Sequence, residues 1–273
     1  MLSTVKNALA AHGISLCAPI LLRDTVVMRP HLLKRAGIED GTAFLFAVPY
    51  YTTFCDDPAR NISSYAVSRD YHLFFKELFS EILPTLQEKY PMHKFAGFAD
   101  HSPINEIDAA TKAGLGAIGK NHLFLTKAHS SFIFIGEIIT DAILQVAPAP
   151  INACSSCGAC LSACPVDLAT DRCLSALTQK KGALDDNEKN AVLKIGCLWG
   201  CDICQNACPI TKAAKKAGTL YTQIPFFEEN AIPHLTKEIL DAMSDEEFAE
   251  RAFSWRGKQV ILRNITLKEE SDA

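Results

Sequence analysis

The distribution of cysteines is the feature that most constrains this chain. Of eleven cysteines, only Cys17 and Cys55 precede residue 150, and the other nine lie between Cys154 and Cys208. The first run has the spacing C-x2-C-x2-C-x3-C-P and consists of Cys154, Cys157, Cys160, Cys164 and Pro165. A second run repeats its ending, with Cys201, Cys204, Cys208 and Pro209. Because evenly spaced thiolates can reach three corners of a cubane, these runs predict two 4Fe-4S clusters.

The spacing also predicts which cysteines share a cluster, because the fourth cysteine of such a run binds the neighbouring cluster. The first cluster is expected to take Cys154, Cys157, Cys160 and Cys208. The second is expected to take Cys164, Cys201 and Cys204, with either Cys173 or Cys197 as its fourth ligand. Structural zinc sites are the alternative, since two C-x2-C pairs can form a tetrahedral thiolate site. A zinc ribbon needs neither the third cysteine nor the proline that follows both runs, so clusters are favoured.

Composition and apolar runs exclude several classes of protein. With 273 residues, 48% of them hydrophobic and 21% charged, the chain can bury a sizeable core and is neither disordered nor fibrous. A net charge of -4 argues against a surface built as a whole to bind nucleic acid. No apolar run reaches the roughly 18 to 20 residues that span a bilayer, and the N-terminus lacks a secretion-signal pattern. Reduced thiols are typical of the cytosol, so we expect a cytoplasmic protein with no membrane partner.

Three segments are predicted, with boundaries near residues 148 and 222. In residues 1–148 helix-like stretches alternate with apolar runs at 42–49, 118–125 and 132–139, which predicts an α/β or α+β domain. Residues 149–222 carry the cysteines and predict a double-cluster, ferredoxin-like domain, preceded by a proline-rich linker that ends at Pro150. Residues 223–273 predict a short helical tail, in which Ser244 and Glu247 have the spacing of a capping box.

A glycine motif occupies residues 114–121. The letters GLGAIGKN satisfy G-x-G-x-x-G and fall one residue short of a phosphate-binding loop, with Asn121 where a hydroxyl is required. Nucleotide loops follow a strand and open a helix, whereas here residues 104–113 predict a helix and residues 122–126 a strand. The reversed order argues against a nucleotide site. The glycines predict a close approach of the backbone either to a neighbouring element or to a bulky ligand.

Several blocks in the same order resemble the epoxyqueuosine reductase family. They are YAVSRDYH at 65–72, FADHSP at 98–103, AGLGAIGKN at 113–121, GEIITD at 136–141, DRCLS at 171–175 and GCDICQ at 200–205. The resemblance implies an oxidoreductase with cobalamin and two 4Fe-4S clusters that removes the epoxide oxygen of epoxyqueuosine at the tRNA wobble position, giving queuosine. It implies tRNA and an external low-potential electron donor as partners. Forming an alkene from an epoxide needs two electrons and two protons, which suits clusters and a positioned acid.

The resemblance also implies roles for particular residues. Asp100 matches the family's proton-donating aspartate, and Phe95, Phe98 and Pro103 are expected to bury it and raise its pKa. The alternative is a loop aspartate that caps a helix beginning near Pro103. Cys173 matches the fourth ligand of the second cluster. The residues expected to contact the cofactor are Tyr65, Arg69, His72, Gly114, Gly116, Gly119, Lys120 and Asn121, although Tyr65, Arg69 and His72 also suit ordinary packing.

Longer family members carry a C-terminal helical-repeat domain that helps to hold tRNA, and a short form without it is expected here. Seven basic residues form either a phosphate-binding patch or solvated helical faces. They are Lys212, Lys215, Lys216, Arg251, Arg256, Lys258 and Arg263. Two other functions stay open, namely a related reductase of a small molecule or corrinoid partner and a two-cluster electron carrier. A ferredoxin needs only the cysteine segment, so the long preceding segment argues against the carrier.

Overall fold

The computed structural model describes residues 1–147, 151, 154–166, 168 and 173–272. Its contacts divide the chain into two compact units. The first unit comprises Met1–Tyr50, His72–Cys157 and Ala213–Ile224, and the second comprises Tyr51–Tyr71, Gly158–Lys212 and Pro225–Ala273. The predicted boundary at Pro148, the linker proline Pro150, and Asp171 and Arg172 of the family-like blocks lie outside the described residues.

Neither unit is a continuous piece of chain, so the two units differ from the three predicted segments. Residues 213–224 belong to the first unit, where the Thr219 hydroxyl donates a hydrogen bond to the carbonyl oxygen of Ala128 at 2.9 Å. Residues 51–71 belong to the second unit, where the Asn61 amide donates to the carbonyl oxygen of Leu235 at 2.8 Å. Long-range pairing, which a sequence profile does not reveal, decides this division. The three segments stay a prediction of which part of the chain carries which function.

The first unit is built on a four-stranded antiparallel sheet. Its strands are β1 (Leu16–Leu21), β2 (Thr42–Pro49), β3 (Phe95–Ala99) and β6 (Ile133–Thr140), in the order β1-β2-β6-β3. Strand β2 is buried along its whole length because the sheet is covered on both faces. The predicted strands at 42–49 and 132–139 are confirmed, and the antiparallel pairing makes this unit α+β. Strands β1 and β3 were not predicted.

Helices cover both faces of this sheet. They are α1 (Leu2–Ala11), α2 (Pro30–Ala36), α3 (Tyr71–Lys89) and α4 (Glu106–Lys112). Helix α3 packs through Phe75, whose ring centroid lies 6.1 Å from that of Phe46 in β2. Helix α4 packs through Ala109 and Ala110 on the face that carries Leu45. Full burial of one such Phe or Leu side chain contributes about 1.5 to 3 kcal/mol, so the two layers fix the position of β3 and β6 between them.

The glycine motif forms a short hairpin in place of the single strand predicted over 118–125. Its strands are β4 (Ala117–Ile118) and β5 (Phe124–Leu125). The single-strand prediction is wrong because the chain turns between them, where the Gly119 N–H donates to the carbonyl oxygen of Leu123 at 2.8 Å. A Cβ atom at Gly116 would overlap the carbonyl oxygen of Leu125 and the Phe124 ring. The close approach predicted by the glycines is therefore to a neighbouring strand.

The second unit is mostly helical. Its helices are α5 (Ala159–Ala163), α6 (Leu174–Thr178), α7 (Asp186–Ile195), α8 (Ile203–Ala207), α10 (Lys237–Ala242), α11 (Asp245–Ala249) and α12 (Lys258–Asp272), and α9 (Pro209–Lys216) crosses into the first unit. Leu174, Leu177 and Val192 form part of a local core. The predicted capping box is confirmed, because Ser244 and Glu247 bond reciprocally at the start of α11. Within the described part of the chain, every helix is too short or too polar to cross a membrane.

Candidate functional site

Asp100 lies immediately beyond the end of β3. Its φ angle of 60° is in the left-handed region, which aspartate tolerates better than most residues. Its carboxylate Oδ2 atom lies 3.8 Å from Nε2 of His72, and the two side chains are 68% and 51% exposed. His72 lies in the first turn of α3, so the fold brings together two residues that the family resemblance singled out.

Two expectations for Asp100 are wrong. Its side chain is not buried by an apolar wall, since the left-handed turn after β3 directs the carboxylate to solvent, where it is 68% exposed. It does not cap a helix either. Helix α4 begins at Glu106, and the capping side chain is Asn105, whose Oδ1 atom accepts a hydrogen bond from the Asp108 N–H at 3.1 Å.

The loop that carries Asp100 is anchored by a neighbouring segment of the first unit. The N–H groups of Met28 and Arg29 donate to the carbonyl oxygen of Pro103 at 2.8 and 3.0 Å. The guanidinium of Arg29 donates to the carbonyl oxygen of Ser102 at 2.9 Å. These bonds anchor the loop at Ser102 and Pro103, just after Asp100.

Two further carboxyl groups lie behind this loop, and the sequence analysis did not single them out. Glu137 in β6 is fully buried, and Oγ of Ser102 lies 2.7 and 2.8 Å from its two carboxyl oxygens. Burial raises the pKa of Glu137 to about 8. A charged residue in the middle of the apolar strand Ile133–Thr140 is the sequence signal that marks it.

Glu106 is the second of these carboxyl groups. Burial raises its pKa to about 7, and the charge of Asp100 adds to this effect. Its carboxyl group accepts a hydrogen bond from the backbone N–H of Asp100. Its Oε2 atom is buried without a hydrogen-bond partner among the described residues. Glu106 therefore links the Asp100 loop to the interior of the unit.

The remaining residues assigned to a cofactor fall into two groups. In the first unit, Gly114 follows the C-terminal cap of α4 with a φ angle of 79°, and the side chain of Asn121 accepts a hydrogen bond from the Leu123 N–H at 3.4 Å. Lys120 is exposed on the same hairpin. These contacts lie within the hairpin and the segment that precedes it. A role for these residues in binding a cofactor stays a prediction.

In the second unit, Tyr65 and Arg69 have packing partners. The Tyr65 hydroxyl accepts a hydrogen bond from the Trp199 indole N–H at 2.6 Å. The Arg69 guanidinium lies 4.4 Å from the centre of the Phe226 ring and 3.3 Å from Oε2 of Glu229. It lines a cavity of about 450 Å³ that Arg251 also lines.

The cysteine runs form a local repeat in the second unit. The helices α5 and α8 have five residues each, pack against one another and contain Cys160 and Cys204. Each helix ends at a cysteine that precedes proline, Cys164 with a φ angle of -74° and Cys208 with -64°. The partial repeat in the sequence is therefore a repeat in structure.

The surroundings of the cysteines fit thiolates that bind clusters. None of the eleven cysteines forms a disulfide. The Ser156 N–H donates to Sγ of Cys154 at 3.4 Å, and the Leu168 N–H donates to Sγ of Cys164 at 3.3 Å. Both donor residues have left-handed φ angles, 56° and 53°. Backbone N–H groups that point at sulfur stabilise cluster thiolates. Among the described residues no three ligand-type side chains converge on the position of a single metal ion.

Asp202, between the cysteines of the second run, is a buried residue that sequence reasoning missed. Its Oδ2 atom accepts hydrogen bonds from the Arg60 guanidinium at 2.9 Å and from the Ser64 N–H and hydroxyl at 2.7 and 2.8 Å. The Ser63 hydroxyl donates to Oδ1. The Gln205 side-chain amide also donates to Oδ1, at 3.1 Å. The four donors from residues 60–64 fix the cysteine run to that segment.

Two members of the predicted basic patch are neither solvated nor available to phosphates. Arg251 is 4% exposed and donates to the carbonyl oxygens of Asn230 and Val67, both at 2.7 Å. Arg263 donates to the carbonyl oxygen of Gly182 at 2.6 Å. Both predicted alternatives are wrong for these two arginines, because backbone carbonyl groups occupy their guanidinium groups.

Comparison with known proteins agrees with the predicted clusters. Residues 153–211 match a family model described as a 4Fe-4S double cluster binding domain. The match confirms that the two cysteine runs form a double-cluster domain rather than a pair of zinc sites.

The chain is similar to two curated epoxyqueuosine reductases. That of Cyclobacterium marinum is 34% identical over 237 residues, which are 79% of this chain and 72% of the relative. That of Bacillus subtilis is 34% identical over 211 residues, which are 73% of this chain and 53% of the relative. The chain therefore spans about half the length of the Bacillus subtilis relative.

Two solved structures have a similar fold. A selenomethionine-labelled epoxyqueuosine reductase is 25% identical, with a TM-score of 0.78 over 98% of this chain and 80% of that chain. An epoxyqueuosine reductase with an epoxyqueuosine-modified tRNA-Tyr stem loop is 24% identical, with the same TM-score and coverage. These matches confirm the predicted mixed α and β fold with a double-cluster domain.

Proposed function

Because the chain belongs to the epoxyqueuosine reductase family, we propose that it reduces the epoxide of epoxyqueuosine in tRNA to the alkene of queuosine. The observation that carries this proposal is the geometry of Asp100, an exposed acid held on a left-handed turn 3.8 Å from His72. The reaction consumes two electrons and two protons and releases the oxygen as water. A fixed proton donor and a double-cluster domain are the two parts that this chemistry requires.

Asp100 is the proposed proton donor to the leaving oxygen. Its exposed side chain is open to a substrate, and a bound nucleoside would exclude water from around the carboxyl group. His72 lies within 4 Å and orients the carboxyl group. Asp100 is exposed in the free chain. We propose that it becomes desolvated when the substrate binds.

The 4Fe-4S clusters supply the electrons, which an external low-potential donor provides. We assign the first cluster to Cys154, Cys157, Cys160 and Cys208 and the second to Cys164, Cys173, Cys201 and Cys204. Cys173 is preferred over Cys197 because the Cys197 thiol donates a hydrogen bond to the carbonyl oxygen of Trp199 at 3.3 Å. A thiol that keeps its proton is not in the ligand form.

Cobalamin is the second proposed cofactor, and when bound it supplies a strongly nucleophilic reduced metal. The hairpin of β4 and β5 offers an apolar contact for a large flat group, because the Ile118 side chain is 49% exposed there. Lys120 on this hairpin and His72 are the polar side chains proposed to hold it. Tyr65 and Arg69 are weaker candidates because each has a packing partner.

The proposed macromolecular partner is tRNA. A protein of similar fold has been solved with an epoxyqueuosine-modified stem loop. Helix α9 carries Lys212, Lys215 and Lys216 and is the proposed phosphate contact. We place the reaction in the cytoplasm, where the eleven cysteines would stay reduced.

The test is an anaerobic reconstitution with iron, sulfide and cobalamin, followed by incubation with tRNA that carries epoxyqueuosine. Mass spectrometry of the digested nucleosides should show the loss of one oxygen, dependent on both cofactors. Asp100→Asn should slow this reaction about a hundredfold or more, with unchanged cluster absorption, whereas Asp186→Asn, at a position 94% exposed, should not. An unchanged nucleoside on a protein that has bound both cofactors would overturn the tRNA substrate and favour a small molecule or corrinoid partner.

A further inference from the structure

Ser102 and Glu137 make a contact that a proton on Glu137 completes. Oγ of Ser102 lies 2.7 and 2.8 Å from the two carboxyl oxygens and also accepts a hydrogen bond from the Ile104 N–H at 3.0 Å. The single hydroxyl hydrogen cannot align with both carboxyl oxygens. If Glu137 carries a proton, one of its oxygens donates to Oγ and the other accepts from it, so both short contacts are hydrogen bonds.

Among the described residues, the Glu137 carboxyl group is hydrogen-bonded to Ser102 and paired with no cation. The residue is 0% exposed, and an ionised carboxylate in such a place needs a cation or several donors. The charged group that acts on Glu137 is Glu106, and those that act on Glu106 are Asp100 and Arg29. Arg29 acts on Glu106 and donates to the carbonyl oxygen of Ser102, not to its hydroxyl.

Glu106 lies between this buried carboxyl group and Asp100. It accepts a hydrogen bond from the Asp100 N–H, its charge acts on Glu137, and its Oε2 atom is buried without a partner among the described residues. An unpartnered buried carboxyl oxygen is a site that can receive a proton at little structural cost. The three carboxyl groups thus form a series from the interior of the unit to its surface.

We propose that Glu137 and Glu106 are an internal proton store that resupplies Asp100 during turnover. The delivery to Asp100 depends on the proposed function, whereas the storage of the proton does not. Neither glutamate touches the substrate, and both act through Asp100. The raised pKa values of Glu106 and Glu137, about 7 and about 8, agree with groups that hold protons at neutral pH.

The reaction consumes two protons, and the proposed store supplies one of them to Asp100. Two C–O bonds break, one C=C bond forms, and the oxygen leaves as water after it has received two protons. Asp100 donates the first proton, takes another from Glu106 and donates again, and Glu137 replaces the proton on Glu106. The two electrons come from the external low-potential donor, which is oxidised. Solvent returns one proton to Asp100 and one to Glu137 between turnovers.

The first measurement tests storage and needs no substrate. A glutamate whose pKa is about 4.5 when unfolded and higher when folded contributes stability that is complete below pH 4.5 and is lost as the pH rises through the folded value. The melting temperature of the wild-type chain should therefore fall between pH 6 and pH 9. Glu137→Gln, which resembles the protonated acid, should fold at pH 6 and lose much of this fall, whereas the exposed Glu88→Gln should keep it.

The second measurement tests delivery in the reconstituted holoenzyme acting on epoxyqueuosine tRNA. Glu137→Gln and Glu106→Gln should each slow steady-state turnover about tenfold at pH 7. The wild-type rate should fall as the pH rises above 8, and Glu137→Gln should not show this fall. A purely structural role would lower the amount of folded enzyme without removing the pH dependence. Cluster and cobalamin absorption of the variants should match the wild type.

The two measurements fail separately. If Glu137→Gln keeps the full wild-type loss of stability between pH 6 and pH 9, Glu137 does not store the proton. If the variant stores no proton but turns over at the wild-type rate with the wild-type pH profile, delivery to Asp100 is overturned. If the wild-type holoenzyme does not reduce the nucleoside, the proposed function fails and delivery fails with it, while the melting curves still decide storage.

Discussion

Each of the two units contains a fully enclosed carboxyl group, and the two are stabilised in opposite ways. In the second unit Asp202 receives hydrogen bonds from Arg60 and from both Ser63 and Ser64. In the first unit Glu137 has one hydroxyl partner, that of Ser102. The charge of Asp202 is balanced by a cation at 2.9 Å, whereas Glu137 is best satisfied when it is neutral.

The difference shows how to separate a structural acid from one that exchanges protons. A carboxylate with a buried cation and several donors keeps its charge, because removing the charge would leave those donors unsatisfied. A buried carboxyl group with one hydroxyl partner gains from a proton, because burial disfavours its charged form. Asp202 therefore holds the cysteine segment in place, and Glu137 is suited to titrate near neutral pH.

The largest expected effect is that of removing the carboxylate of Asp202. Asp202→Ala leaves the buried Arg60 charge and the two serine hydroxyls without their acceptor, so it should lower the free energy of unfolding by about 3 to 5 kcal/mol. Urea unfolding of the chain without cofactors measures this. Asp186→Ala, which removes an aspartate that is 94% exposed, should cost less than about 0.5 kcal/mol. Equal costs would show that the Asp202 network is not structural.

A pair of amide substitutions compares the two acids directly. Asp202→Asn replaces a charged acceptor of Arg60 by a neutral one and should cost about 2 kcal/mol. Glu137→Gln replaces a neutral acid by a neutral amide of the same shape and should cost less than about 1 kcal/mol at pH 6. Urea unfolding at pH 6 gives both values. A larger cost for Glu137→Gln than for Asp202→Asn would contradict the assignment of the charge to Asp202 and the proton to Glu137.

The smallest expected effect comes from the partner of Glu137. Ser102→Ala removes the hydroxyl partner, so it should cost about 1 kcal/mol at pH 6. By the contact geometry, the protonated acid makes two hydrogen bonds with Ser102 and the carboxylate makes one, so removing the hydroxyl should weaken the protonated form more. The pH-dependent loss of stability should then become smaller, measured by thermal melting from pH 6 to pH 10. Ser80→Ala on the exposed face of α3 should leave the pH dependence unchanged, and an unchanged profile for Ser102→Ala would argue against the contact.

Much of the fold was predictable where one element carries its own signal. The strand Thr42–Pro49 and the helix α3 have continuous apolar runs or a helical period, and the capping box at Ser244 is a local pattern. The strand β3 was missed because FAGFA is short and half-buried and follows a polar turn. The hairpin of β4 and β5 was predicted as one strand because apolar residues stand at both ends of residues 118–125, and the turn between them was not recognised.

The candidate site was predictable in part. Short sequence blocks identified Asp100 and His72 through a family resemblance. The position of β3 beside α3 explains why their side chains lie close together. The exposure of Asp100 was predicted wrongly, because apolar neighbours in sequence do not cover a side chain that follows a left-handed turn. Glu106 and Glu137 lie 31 positions apart and share no motif, so only the pairing of β3 with β6 and the start of α4 reveals them.

The sequence by itself determined that this chain binds two 4Fe-4S clusters. The spacing of the cysteines within a few residues decides which thiolates can reach one cluster, and this spacing is a local property of the sequence. It also determined the family, through short blocks in a fixed order. Only the tertiary structure decided the state of the acids, because the charge of a carboxyl group depends on burial and on partners that are distant in sequence. Asp202 contacts Arg60, and Glu137 contacts Ser102, only in the folded chain.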